Sequence, residues 1–114
     1  MAKMAPKESE IQKAILQYLA LCKGVYAFRT NNVGVPLQGG TGFRPSPVKG
    51  LADLLCVVEG HFLALEVKRP GGKLSEAQKG FLASVKAAGG TAEVVTSVEE
   101  VQTIIKSILE RRST

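Results

Sequence analysis

Two apolar runs, Leu51–Val58 and His61–Lys68, are separated only by Glu59-Gly60, and that spacing constrains the chain more than any other feature. Both runs are rich in Val, Leu and Phe, and a two-residue loop ending in Gly predicts a tight hairpin, because such turns need positive φ. If Val58 pairs with His61, then Val57 faces Phe62, Leu55 faces Ala64, and Asp53 faces Glu66. The two carboxylates would stand on one face with β-carbons about 4.5–5.5 Å apart. Lys68, two residues past Glu66, joins that face by strand alternation. Opposed like charges destabilise a sheet unless something neutralises them, and a divalent cation beside Lys68 would do so. The alternative is a solvated strand end with a surface ion pair. Against it stands the rest of the hairpin. One face reads Leu54, Cys56, Val58, Leu63, Leu65 and Val67, while the acidic face continues as Leu55, Val57, Phe62 and Ala64. Strands apolar on both sides are usually central and covered, which places these charges at the edge of a core.

The 114 residues suit one domain, 1–114, with Met1–Lys7 as a frayed basic lead. No apolar stretch reaches the length of a membrane span, and the N-terminus lacks the apolar run of a signal peptide. A cytoplasmic location, with no membrane partner, is therefore expected. Cys22 and Cys56 form neither a CxxC pair nor a zinc pattern with the single His61, so buried reduced thiols are expected. Fifteen Lys and Arg against ten acids leave a net charge of +5, which favours a polyanionic partner.

From Glu8 to Cys22 apolar residues recur at Ile11, Ile15, Tyr18, Leu19 and Cys22, the stripe of a helix. Glu8 and Gln12 share that stripe; Glu10 lies to one side. A carboxylate in a first helical turn is favoured by the helix dipole, so Glu8 has a purely structural reading as well. Val25–Arg29 reads as a short strand. Thr30–Gly50 is a long polar tract rich in Gly and Pro, and loops of such length inside a compact domain tend to be functional. Arg29, Arg44 and Lys49 make it basic, and Asn31 and Asn32 add amides suited to phosphate or base contacts. A flexible connector, or a further hairpin, is the competing reading. Arg69 and Lys73 bound a basic turn after the second strand of the hairpin. Ser75 can cap a helix running to about Ala88, apolar through Ala77, Phe81, Leu82 and Val85. A strand at Thr91–Thr96 and a last helix capped by Ser97 complete the order helix, three strands, helix, strand, helix.

This constellation resembles the PD-(D/E)xK nucleases, in which Asp53, twelve intervening residues and Glu66-Val67-Lys68 would form the hallmark motif. More closely it resembles their VRR-NUC branch, the virus-type replication-repair nucleases. The likeness rests on Glu8-Ser-Glu-Ile-Gln12, Arg29-Thr-Asn-Asn-Val-Gly34, Gly50-Leu-Ala-Asp53, Glu66-Val-Lys-Arg-Pro-Gly-Gly-Lys-Leu-Ser75 and Gln78. Ala52 stands where the family often has Pro, a residue that shapes the backbone and supplies no ligand.

The resemblance implies a restriction-endonuclease-like α/β core, ordered αβββαβα, with a central mixed sheet flanked by helices. It implies a Mg²⁺- or Mn²⁺-dependent endodeoxyribonuclease in which Asp53, Glu66 and the Val67 carbonyl ligate metal. Glu8 would complete the first site or help hold a second ion, and Glu10 remains the alternative acid. Lys68 would orient or deprotonate the attacking water, and Gln78 would contact that water or Lys68. No small-molecule cofactor is implied. Arg29, Asn31, Asn32, Arg44, Lys49, Arg69 and Lys73 are the expected DNA contacts. Branched DNA, including four-way junctions, is the expected substrate of a homodimer acting in the cytoplasm of a bacterium or phage-infected host. A catalytically inactive nucleic-acid-binding module of the same fold, or a flap or linear-DNA nuclease, is the alternative.

Overall fold

The computed structural model describes residues 6–30, 35–36, 43–44 and 48–112. Helix α1 (Glu8–Leu21) opens with Glu8 and Glu10 in its first turn, where the dipole favours them, and buries Ile11, Ile15 and Leu19. Strand β1 (Val25–Arg29) follows, then two short strands, β2 (Val35–Pro36) and β3 (Phe43–Arg44), which pair antiparallel as a sheet of their own. The polar tract thus contains the further hairpin that was one of its two structural readings. Strands β4 (Leu54–Val58) and β5 (His61–Val67), helix α2 (Glu76–Ala87), strand β6 (Thr91–Val95) and helix α3 (Val98–Arg112) complete the chain.

The main sheet runs β1-β4-β5-β6, antiparallel except for the parallel β5–β6 pair, which α2 connects. It is the mixed, helix-flanked sheet expected from the sequence. The Glu59-Gly60 turn has φ of 48° and 82°, the double positive φ of a type I′ hairpin. Val58 pairs with His61, Val57 with Phe62 and Leu55 with Ala64, as the two-residue loop demands.

One sheet face, carrying Leu54, Cys56, Val58, Leu63, Leu65, Val67 and Val95, packs on α1 and α3. On the opposite face Ala64 and Ala92 pack with Leu82 of α2, and Leu55, Phe81 and Val85 close around them. Three expectations need correction. Ala77 is exposed, because α2 turns its Phe81–Leu82–Val85 side inward. Val57 and Phe62 are 41% and 40% exposed, because α2 packs toward β6 and leaves the β1 end of its face open. Cys22 is only half-buried, with its thiol donating to the Tyr18 carbonyl, whereas Cys56 is fully buried and its thiol is pushed up to about 12 by that burial. Both cysteines are free. Among the described residues no helix is long and apolar enough to cross a membrane.

Candidate active site

The β4–β5 ladder ends at Leu54–Leu65, one step before the expected Asp53–Glu66 pair. The reason is local. Asp53 Oδ2 accepts the Val67 amide at 2.8 Å, so a side chain takes the place of the next ladder bond. The Asp53 backbone is held from the other side, where its carbonyl accepts the Thr30 amide at 2.9 Å. The Thr30 hydroxyl donates to the Ala52 and Asp53 carbonyls. Thr30 is a supporting residue that the sequence did not signal, since its contacts lie more than twenty positions away.

Glu66 is the only charged or polar residue among the described ones that is fully buried, at 1% exposure. Its Oε1 accepts Gln78 Nε2 at 3.2 Å, and its Oε2 is buried with no hydrogen-bond partner among the described residues. Burial is the main reason the Glu66 carboxyl is pushed up to about 8. Hydrogen bonding and charge from Asp53 add to the shift, Lys68 opposes it, and Glu8 raises it further. The carboxylates of Asp53 and Glu66 therefore do converge, although the backbone pairing that was expected to bring them together stops short.

Glu8 is half-buried and acts on Glu66, while Glu10 is exposed and does not figure in its field. That places Glu8, of the two, toward the acidic pair. Among the described residues no three His, Cys, Asp or Glu side chains close into a ready-made metal cage. The pair, with Glu8 beyond it, offers hard oxygens, and Glu66 Oε2 is buried with no hydrogen-bond donor among the described residues. That donor set suits a hard divalent cation.

Gln78 has a partner that the sequence did not signal. It reaches Glu66 rather than Lys68, and its Oε1 accepts the Ser75 amide at 2.9 Å while the Ser75 hydroxyl accepts the Gln78 amide at 3.1 Å. This reciprocal capping box fixes the start of α2 and aims Gln78 at the sheet. Gly50 brings the chain before Asp53 against the same turn of helix. Its φ is +71°, and a Cβ there would lie 2.0 Å from the Ala77 carbonyl oxygen, so no larger residue fits.

Of the expected DNA contacts, Arg29, Lys49, Arg69 and Lys73 are exposed and sit on the segments flanking Asp53 and Glu66. Asn31, Asn32 and the Arg44 side chain lie outside the described residues.

The chain thus builds a small mixed sheet with helices on both faces and brings Asp53 and Glu66 together at the end of its central hairpin. Residues 46–99 match the VRR-NUC domain, a stretch that holds Asp53, Glu66, Lys68 and Gln78. Two solved structures share the fold. One, a VRR-NUC domain, is 23% identical with a TM-score of 0.62, covering 90% of this chain and 97% of its own. The other, a VRR-NUC domain protein, is 18% identical with a TM-score of 0.61, covering 90% of this chain and 88% of its own. No curated protein matches the chain. The resemblance read from the sequence is thus borne out across the hairpin and α2.

Proposed function

We propose that this chain is a Mg²⁺- or Mn²⁺-dependent endodeoxyribonuclease that hydrolyses phosphodiesters in branched DNA, four-way junctions foremost, as a homodimer. The observation that carries the proposal is the buried, unpartnered Oε2 of Glu66 beside Asp53 and within the field of Lys68. A polar rim would leave such a carboxylate solvated. An inactive binder has no need of two acids pressed together, which costs stability.

In this reading Asp53, Glu66 and the Val67 carbonyl would hold the metal, with Glu8 completing the set directly or through water. A cation bound there would supply a more acidic water and offset charge on the scissile phosphate. Lys68 orients the attacking water or takes its proton, and offsets the charge that grows on the phosphoryl oxygens. The water oxygen bonds to phosphorus as the bond from phosphorus to the 3′ oxygen breaks, leaving 5′-phosphate and 3′-hydroxyl ends. Gln78 acts as a positioning residue through Glu66. Arg29, Lys49, Arg69 and Lys73, with Asn31, Asn32 and Arg44, grip the backbone, which favours recognition of shape over base sequence. A two-fold dimer would set two such sites on symmetric strands of a junction.

The test is cleavage of labelled four-way junction, 5′-flap, splayed and linear duplex DNA with Mg²⁺ or Mn²⁺, beside Asp53→Ala. Paired symmetric nicks near the junction, absent in the variant, are the expected result. Preference for flaps or linear DNA would keep the nuclease and overturn the junction substrate. No metal-dependent cutting of any of them would leave a nucleic-acid-binding module.

A further inference from the structure

The open end of the sheet face that carries Glu66 is aromatic. Tyr26 and Phe28 alternate on β1, an edge strand of the main sheet, and are 69% and 43% exposed. Tyr26 lies opposite Val57, which lies opposite Phe62, and Phe28 lies opposite Leu55, which lies opposite Ala64. Cross-strand partners share a face, and Ala64 shares its face with Glu66 two residues on. All these side chains therefore point to the side on which the acids converge. Phe28 is nearest to them. It stands diagonally from Asp53, an arrangement with a spacing of about 7–8 Å. Two residues further along the chain, the Thr30 amide binds the Asp53 carbonyl.

We propose that Tyr26 and Phe28 form a stacking platform for unpaired bases of the nucleic acid cleaved at Asp53 and Glu66. The proposal rests on the nuclease reading above and adds to it the part of the substrate that lies off the duplex. Exposed aromatics on a sheet are costly to leave in water, and stacking on a base π-face covers them without demanding a base sequence. The two rings, 5.8 Å apart and tilted by 43°, do not form one flat surface. Each offers its own face. The 5.8 Å between ring centroids exceeds the rise of about 3.4 Å between stacked bases, which suits bases drawn apart rather than an intact duplex. Arg29, next in sequence and exposed, and Lys49, exposed on the approach to Asp53, supply charge for the accompanying phosphates. A second copy of the chain is the less fitting occupant. Three aromatics and Val57, all partly covered, fall short of the about 800 Å² per partner of a standard interface, since a whole aromatic side chain brings only about 150–250 Å².

The experiment is equilibrium binding, in Ca²⁺ to suppress cutting, of a splayed duplex with unpaired thymidine arms and of the same duplex with abasic arms. Wild-type protein should bind the base-bearing arms more tightly, by about 5- to 150-fold per stacked base. Tyr26→Leu with Phe28→Leu, which keeps apolar bulk, should remove that preference, and Tyr26→Phe with Phe28→Tyr should retain it. Asp53→Ala should keep the preference while losing cleavage, so failure of the platform and failure of the nuclease reading are separable. Equal binding of both arms by wild type, or an undiminished preference in the leucine pair, would overturn the platform. So would conversion of a dimer to a monomer by the leucine pair in light scattering, which would assign the rings to a second copy.

Discussion

Gln78 Nε2 donates to Glu66 Oε1 at 3.2 Å, so the first turn of α2 and the end of β5 are joined at the acid that the site depends on most. The same side chain closes the capping box with Ser75, which makes helix start and site geometry one unit. Substituting Ser75→Ala should cost about 0.5–2 kcal/mol in urea unfolding. It should also lower cleavage, although Ser75 is not placed on the substrate, because Gln78 is no longer held. Ser75→Thr should restore both. Unchanged cleavage in Ser75→Ala would show that Gln78 keeps its aim without the cap.

Glu66 should also mark the pH dependence of the metal-free protein. Its carboxyl is raised from 4.5 to about 8 in the folded state, chiefly by burial. The unfolded chain therefore gives up this proton first as pH rises. The contribution to stability is full below pH 4.5 and is lost progressively up to about pH 8. In chelator, the melting temperature of wild type relative to Glu66→Gln should fall across that window. A constant difference would mean that Glu66 is not held protonated by its surroundings.

Gly50→Ala tests the contact that places the chain before Asp53. The new methyl would meet the Ala77 carbonyl at a residue with φ of +71°. Overpacking and left-handed strain together should cost about 2–5 kcal/mol in chemical denaturation. A loss under about 0.5 kcal/mol would mean that the loop and α2 separate easily.

Lys68→Ala should abolish cleavage while metal and DNA binding persist, each measured separately by calorimetry and fluorescence anisotropy. Loss of all three together would make Lys68 a structural residue.

The hairpin register was legible from Val58–His61 back to Leu54–Leu65, because the two-residue Glu59-Gly60 turn fixes which residues pair. Asp53 was legible as an acid facing Glu66 but not as the acceptor of the Val67 amide, since period-two alternation says nothing about side chains that replace ladder bonds. The Ser75 cap follows from local sequence. The partner of Gln78 does not, because it depends on how α2 crosses the sheet. The same crossing decides that Ala64 is buried while Phe62, two residues away on the same face, is 40% exposed. The contact of Gly50 with Ala77 is a tertiary fact that no local signal carries. Helical phase put Glu8 rather than Glu10 on the apolar stripe of α1, and Glu8 is the half-buried one of the two.

The central claim is that Asp53 and Glu66 jointly hold a divalent cation, and the most direct measurement is calorimetric titration of Mn²⁺ at pH 8. Wild type should bind, and Asp53→Ala and Glu66→Gln should each lose most of the affinity while remaining folded by circular dichroism. No binding to wild type, or equal binding by Glu66→Gln, would contradict the account.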